Sequence, residues 1–178
     1  DTIILGIFRD SDIVGIYNVV LKIAAVTGFT VQALDSILAP KLSAAWHKND
    51  MKGFKLLVRY ATFINVSASV IGISILIIFR EMILNVFGDE FLIATVALII
   101  LCLGQLFNAF GGPVAAILLM TGRQKIFQNI LLIALVINVT LNLLLIEPLG
   151  INGVAIGTAT SLAFWNVASV IYVKLKVY

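Results

Sequence analysis

Long apolar runs separated by short polar stretches dominate this chain of 178 residues. Five of the runs are long, and they cover residues 14–39, 60–79, 91–120, 127–146 and 151–173. A helix rises about 1.5 Å per residue, so about 20 apolar residues cross the hydrocarbon core of a bilayer. The runs are continuous and about twice as long as a membrane β-strand of ~10 residues, which excludes a β-barrel. The pattern predicts an all-α, polytopic transmembrane helical bundle.

The ends of the runs carry further signals. The first run stops at Pro40, where we expect its helix to end. Residues 2–8 are apolar but too few to cross a bilayer, and we expect them to be the outer end of a sixth helix cut by a fragment boundary. No soluble domain or linker is evident, so we expect residues 1–178 to form a single transmembrane domain.

The third run contains a helix breaker. Gly111, Gly112 and Pro113 follow one another there, and a proline removes a helical hydrogen bond and crowds the preceding turn. We predict a kink and take these three residues as hinge candidates. Asn108 and Gln105 precede Gly111 by three and six residues, about one and two turns, and we take these amides as cavity candidates. A helix that bends during transport and an ordinary kinked packing helix both fit this pattern.

Basic residues alternate between the two sides of the predicted bundle. Five Lys or Arg residues lie in 41–59, two in 121–126 and two in the tail 174–178, whereas the other connections contain one or none. Insertion retains Lys and Arg on the cytoplasmic side of a membrane. We therefore expect both of these loops and the C-terminal tail to be cytoplasmic.

The composition excludes several classes of protein. The chain is 61% hydrophobic and 12% charged, against about 25% charged residues in soluble domains. Its net charge of +3 comes from basic residues at span ends, so we expect no nucleic-acid partner. The single Cys102 and the single His47 leave no disulfide, metal centre or catalytic set. We expect a transporter without catalytic residues or cofactors rather than an enzyme.

Lys22 is the one basic residue inside a span, and Asn18 lies one turn away on the same helical face. An ionisable group in a membrane usually faces a partner or a water-filled cavity. These two residues could form a cationic cavity site for an anionic substrate. The alternative is a lysine that snorkels to the interface or pairs with a neighbouring helix.

Asp35 lies near the other end of the same run, on a different helical face from Lys22. It is our coupling-ion candidate, because a carboxylate in a span can bind a proton or a cation. The alternative is an ion pair with Arg59 or Lys55 that would hold the first two spans together.

Small and amide side chains recur at helical spacing in the last two spans. Asn138 and Asn142 are four residues apart, as are Gly153, Gly157 and Ser161. Small residues at this spacing let helix backbones approach closely, and amides form hydrogen bonds between helices. We interpret these positions mainly as helix packing.

Six stretches at the ends of the spans form an ordered set: Asp1–Gly6, Asp12–Asn18, Leu38–Ser43, Val86–Phe91, Met120–Lys125 and Leu149–Gly157. Together they resemble the polysaccharide-export branch of the MOP superfamily, the multidrug, oligosaccharidyl-lipid and polysaccharide exporters. The resemblance covers essentially the whole chain, and the order and spacing of the stretches match the second half of O-antigen and related lipid-linked oligosaccharide flippases.

The resemblance implies one lobe of a transporter with two six-helix lobes. Such proteins flip an undecaprenyl-diphosphate-linked oligosaccharide across the bacterial inner membrane by alternating access, for O-antigen, lipopolysaccharide or other surface polysaccharide. The lipid-linked oligosaccharide, the lipid bilayer and the missing N-terminal lobe are then the expected partners. Lys22 is the residue that we assign to the diphosphate.

Three alternative functions remain. The closest alternative is a multidrug/cation antiporter of the same superfamily, which a large apolar cavity with an acidic site would support; half of that evidence lies in the missing first lobe. A membrane scaffold that transports nothing and an integral-membrane glycosyltransferase are the remoter alternatives. The enzyme would require an acidic or histidine site in the missing part of the protein and soluble loops larger than any in this chain.

Overall fold

The computed structural model describes residues 1–177, and every regular element within them is helical. The predicted all-α helical bundle is therefore confirmed. The elements in chain order are α1 Thr2–Phe8, α2 Ser11–Val26, α3 Phe29–His47, α4 Met51–Ile78, α5 Arg80–Asn85, a 3₁₀ helix Asp89–Ala94, α6 Thr95–Gly111, α7 Val114–Met120, α8 Gln124–Leu149 and α9 Ile151–Lys176.

Four stretches of the described chain are long and apolar enough to cross a membrane. They are Met51–Ile78, Asp89–Gly111, Gln124–Leu149 and Ile151–Lys176, with mean hydropathies between 1.5 and 2.4. Helices α2 and α3 together make a fifth candidate span, bent by 49° at the two residues between them. The chain is a multi-pass membrane protein.

Helix α9 holds the bundle together, because it makes the two most extensive helix contacts, with α8 and with α6. Glycines permit these close approaches. A Cβ atom at Gly104 of α6 would lie 2.9 Å from the Cα atom of Ala159, and a Cβ atom at Gly153 would collide with the backbone of Leu145. The predicted packing role of the small residues on α9 is confirmed by these contacts.

The buried apolar side chains form two clusters at opposite ends of the bundle. Helices α4 and α9 run through both of them. Ile73 and Val154 belong to the first cluster, with most of α2 and α6. Phe54 and Val173 belong to the second cluster, with α3 and α7.

The first predicted span differs from the structure in two ways. It was expected as one helix ending at Pro40, but the chain breaks after Val26 and then continues helically through Pro40 to His47. A proline inside a helix costs about 3 kcal/mol. Leu38 and Leu42 on either side are buried in the second cluster, so packing against neighbouring helices supports the helix on both sides of the proline.

The predicted loops are shorter than expected. Residues 41–59 are mostly helical, and only residues 48–50 connect α3 to α4. Asp50 is the N-cap of α4, and its Oδ1 atom accepts a hydrogen bond of 2.9 Å from the Gly53 N–H. The 121–126 loop is similarly reduced, since α8 begins at Gln124.

Candidate functional site

A layer of polar side chains lies between the two apolar clusters. Along α4, Asn65 and Ser69 come between Ala61 of the second cluster and Ile73 of the first. Polar residues also lie between the two clusters along α9 and along the broken pairs α2–α3 and α6–α7. We call the seven residues of this layer the polar layer: Thr27, Asp35, Asn65, Ser69, Gln105, Asn108 and Asn166.

Three amides of the polar layer join α6 to α9. The Nδ2 atom of Asn166 donates to Asn108 Oδ1 at 3.4 Å, and Asn108 Nδ2 donates to Gln105 Oε1 at 3.4 Å. The structure therefore brings the two predicted amides together. Asn166 was not predicted, although an amide inside an apolar run is a signal that could have identified it.

The break between α2 and α3 contacts side chains of the polar layer. The Ser69 hydroxyl donates to the Thr27 carbonyl at 3.2 Å, and the Thr27 hydroxyl donates to the Ala24 carbonyl at 2.7 Å. A Cβ atom at Gly28 would lie 2.7 Å from Gln105 Oε1, so a larger residue would push that amide away. Sequence analysis did not predict this break.

The break between α6 and α7 occurs at the predicted Gly111-Gly112-Pro113 segment, so the predicted kink is confirmed. Gly112 has φ 62° and ψ −150°, a conformation that side chains with a Cβ atom rarely adopt. A Cβ atom at Gly111 would collide with Asn166, and one at Gly112 would collide with Thr62. Movement at this break remains a prediction.

Lys22 is exposed on the surface of α2 and forms no hydrogen bond or ion pair with any residue of 1–177. Asn18, its predicted companion, is half-buried and accepts a 2.8 Å hydrogen bond from the Thr2 hydroxyl of α1. Lys22 lies six residues before Gly28, about 9 Å along the helix. An exposed lysine there can meet a ligand or a second lobe, whereas Asn18 is held by α1.

Asp35 is half-buried on α3, and its Oδ1 atom is buried without a hydrogen-bond partner. It forms no ion pair with any described residue, so the alternative of a pair with Arg59 or Lys55 is wrong. Asp35 also remains apart from Lys22, as their positions on different faces predicted.

A second polar group, which we call the Asp1 network, joins α8 and α9 to the start of the chain. Asn142 Nδ2 donates to Asp1 Oδ1, and the Thr158 hydroxyl donates to Asp1 Oδ2, each at 2.7 Å. The Tyr17 hydroxyl lies 3.1 Å from that of Thr158, and Asn142 Nδ2 also reaches Asn138 Oδ1 at 3.2 Å. Sequence analysis identified only the two asparagines.

The Asp1 network compensates a carboxylate with amide and hydroxyl donors, as a group removed from water requires. Both oxygens of Asp1 are used in this way. Within residues 1–177, no three His, Cys, Asp or Glu side chains converge as a metal centre would require.

These features define a class of protein. Several membrane spans enclose polar side chains at mid-bundle, and two of the spans are broken at that level. Broken helices that line an intramembrane polar site are typical of secondary transporters.

The chain belongs to the MatE family, whose sequence profile matches residues 1–144. This family belongs to the MOP superfamily, and its members are transporters rather than enzymes. The chain is 28% identical over 164 residues to the "Probable low-salt glycan biosynthesis flippase Agl15" of Haloferax volcanii. The match covers 92% of this chain and 35% of that protein, so the chain spans about a third of this relative's length. No solved structure matches the chain.

Proposed function

We propose that this chain is most of the second lobe of a flippase that moves an undecaprenyl-diphosphate-linked oligosaccharide across the bacterial inner membrane by alternating access. MatE membership and the similarity to a glycan biosynthesis flippase support the proposal. The distribution of basic residues supports an orientation with 41–59, 121–126 and the C-terminal tail in the cytoplasm. The N-terminal lobe would complete the transport path.

The unpaired Lys22 is the observation that carries the proposal. A lysine within a span is costly unless it has a partner or water. Lys22 has no partner among residues 1–177 and is exposed at the surface of the lobe. A diphosphate would supply the missing counter-charge, and an ammonium group binds phosphate as a point charge.

An export assay tests this role. The gene with Lys22→Glu, Lys22→Arg or Lys48→Glu would replace the native gene, and surface polysaccharide would be measured at matched protein levels. A charge-assisted contact of about 1.5–3 kcal/mol corresponds to a roughly 10- to 100-fold loss of export in Lys22→Glu. Lys22→Arg should retain export, and Lys48→Glu, an exposed cation between helices, should be unaffected. Normal export by Lys22→Glu would overturn the assignment.

One cavity favours a second candidate, a multidrug/cation antiporter. This cavity of about 270 Å³ beside the Gly111 break has walls that are almost entirely apolar. Its lining residues are Phe107, Phe110, Gly111, Asn166, Val167, Val170 and Ile171. Aromatic walls suit an apolar organic cation. Resistance to such compounds that depends on this gene, with unchanged surface polysaccharide, would favour the antiporter.

A further inference from the structure

We propose that a groove between α4, α6 and α9 binds one anionic phospholipid, with an acyl chain beside the helix break at Gly111 and the phosphate at Lys174. The partner is a lipid of the surrounding membrane and not the transported substrate. Placing the site in the inner leaflet rests on the orientation given under the proposed function, whereas lipid binding itself can be measured in detergent without any transport.

The groove consists of two cavities that share part of their walls. The cavity of about 270 Å³ beside the Gly111 break adjoins a second cavity of about 240 Å³. Phe110, Gly111 and Val170 line both of them, and the second cavity continues past Val173 to Lys174. We call the two cavities together the Lys174 groove. Among the described residues that line this groove, Lys174 is the only charged one.

The Lys174 groove opens on the side of α6 that faces away from α2. Gln105 marks the side toward α2, because its Oε1 atom would lie 2.7 Å from a Cβ atom at Gly28. Phe107 and Phe110 follow Gln105 by two and five residues, and a helix turns about 100° per residue, so they lie on the opposite side of α6. Both rings are about half exposed. The groove is therefore directed away from the helix that carries Lys22 and toward the lipid.

The length of the groove matches one leaflet of a membrane. Asn166 of the polar layer lines one end, at mid-bundle, and Lys174 lines the other end. The two residues are eight positions apart on α9, which corresponds to about 12 Å of helix rise. One leaflet of a hydrocarbon core of ~30 Å is about 15 Å deep. An acyl chain that begins at the membrane surface and ends near the midplane fits this depth.

The charge at the mouth of the groove favours an anionic headgroup. Lys174 is exposed and forms no ion pair with any residue of 1–177. On α4, Thr62 and Val58 line the groove, and Lys55 lies one turn beyond Val58 along the same helical stripe. Basic pockets between the cytoplasmic ends of membrane helices bind anionic lipid headgroups. The same two lysines would repel an organic cation, which is the ligand of the second candidate function.

Thermal unfolding of the full-length protein in detergent tests the headgroup. Phosphatidylglycerol and phosphatidylcholine with the same acyl chains would be titrated separately. We expect a saturable rise in Tm, with a lower half-saturating concentration for phosphatidylglycerol. Lys174→Gln should raise that concentration about fivefold and leave the value for phosphatidylcholine unchanged. Lys125→Gln is the matched control, because it removes an exposed cation of the 121–126 segment outside the groove and should change neither value.

A substitution that fills the groove tests the acyl chain. Val170→Phe should abolish saturable binding of both lipids, because residue 170 lines both cavities. Leu175→Phe is the control, since Leu175 is exposed on the same helix and lies outside the groove. If Val170→Phe does not fold, Val167→Phe adds the same bulk to the first cavity from an exposed position.

Four results would overturn the proposal. They are equal affinity for the two lipids, an equal loss of affinity in Lys125→Gln, unchanged binding in Val170→Phe, and a rise in Tm with tetraphenylphosphonium that Val170→Phe abolishes. The last result would place an organic cation in the groove. None of these results depends on whether the protein flips an oligosaccharide, so failure of this proposal and failure of the proposed function are separate outcomes.

Discussion

Replacing Gly112 with alanine should destabilise the protein through two separate effects. The backbone at φ 62° and ψ −150° is nearly restricted to glycine, and a side chain there costs about 1–3 kcal/mol. The new Cβ atom would also collide with the Thr62 hydroxyl of α4, and crowding of this kind costs a further ~1–2 kcal/mol. We therefore expect a total loss of about 2–5 kcal/mol. Tryptophan fluorescence during thermal unfolding in detergent would measure it.

A double-mutant cycle separates the two effects. Removing the obstructing hydroxyl in Gly112→Ala/Thr62→Ala should recover the steric part, about 1–2 kcal/mol, and leave the backbone part. Gly122→Ala is the matched control, because Gly122 also has a positive φ of 75° but nothing lies within 4 Å of its added Cβ atom. Gly122→Ala should lose stability only through the backbone cost of a side chain at positive φ. Wild-type stability of Gly112→Ala, or no recovery in the double variant, would refute the reasoning.

Two further substitutions test how the bundle is held together. Gly104→Ala should lower stability by about 1–3 kcal/mol, because its Cβ atom would press on the backbone of Ala159, whereas Gly15→Ala, with open space around it, should not. Equal unfolding midpoints for these two variants would contradict the close α6–α9 contact. Arg123→Ala should cost about 1–2 kcal/mol, because the guanidinium donates to the Lys176 carbonyl at 2.8 Å and lies 5.5 Å from the Trp46 ring. Arg123→Lys should lose only part of this stability. An unchanged unfolding midpoint in Arg123→Ala would show that the contacts of Arg123 with Lys176 and Trp46 do not stabilise the protein.

The apolar helices could be predicted from the sequence, because a membrane helix is apolar both where it packs on its neighbours and where it faces lipid. The kink at Gly112 was also predictable, since glycine and proline act on their own backbone. The break at Gly28 was not, because a single glycine inside an apolar run has many explanations. Its contacts are with helices far along the chain, since Ser69 donates to the Thr27 carbonyl and Gln105 lies against Gly28.

The candidate site was predictable only in part, for the same reason. Gln105 and Asn108 are near each other in sequence, and the structure joins them. Asn166 lies 58 residues from its partner Asn108, and Thr158 lies 157 residues from Asp1. The ion pair expected for Asp35 was with Arg59 or Lys55, but a buried oxygen of Asp35 has no hydrogen-bond partner among the described residues.

Reconstitution into liposomes tests the central claim most directly. The protein would be placed in vesicles with a fluorescent undecaprenyl-diphosphate-linked oligosaccharide, and the fraction of label that becomes accessible to an external quencher would be followed over time. The account predicts flipping that depends on the protein and falls roughly 10- to 100-fold in Lys22→Glu. No flipping of this lipid by a protein that accumulates organic cations in the same vesicles would contradict it.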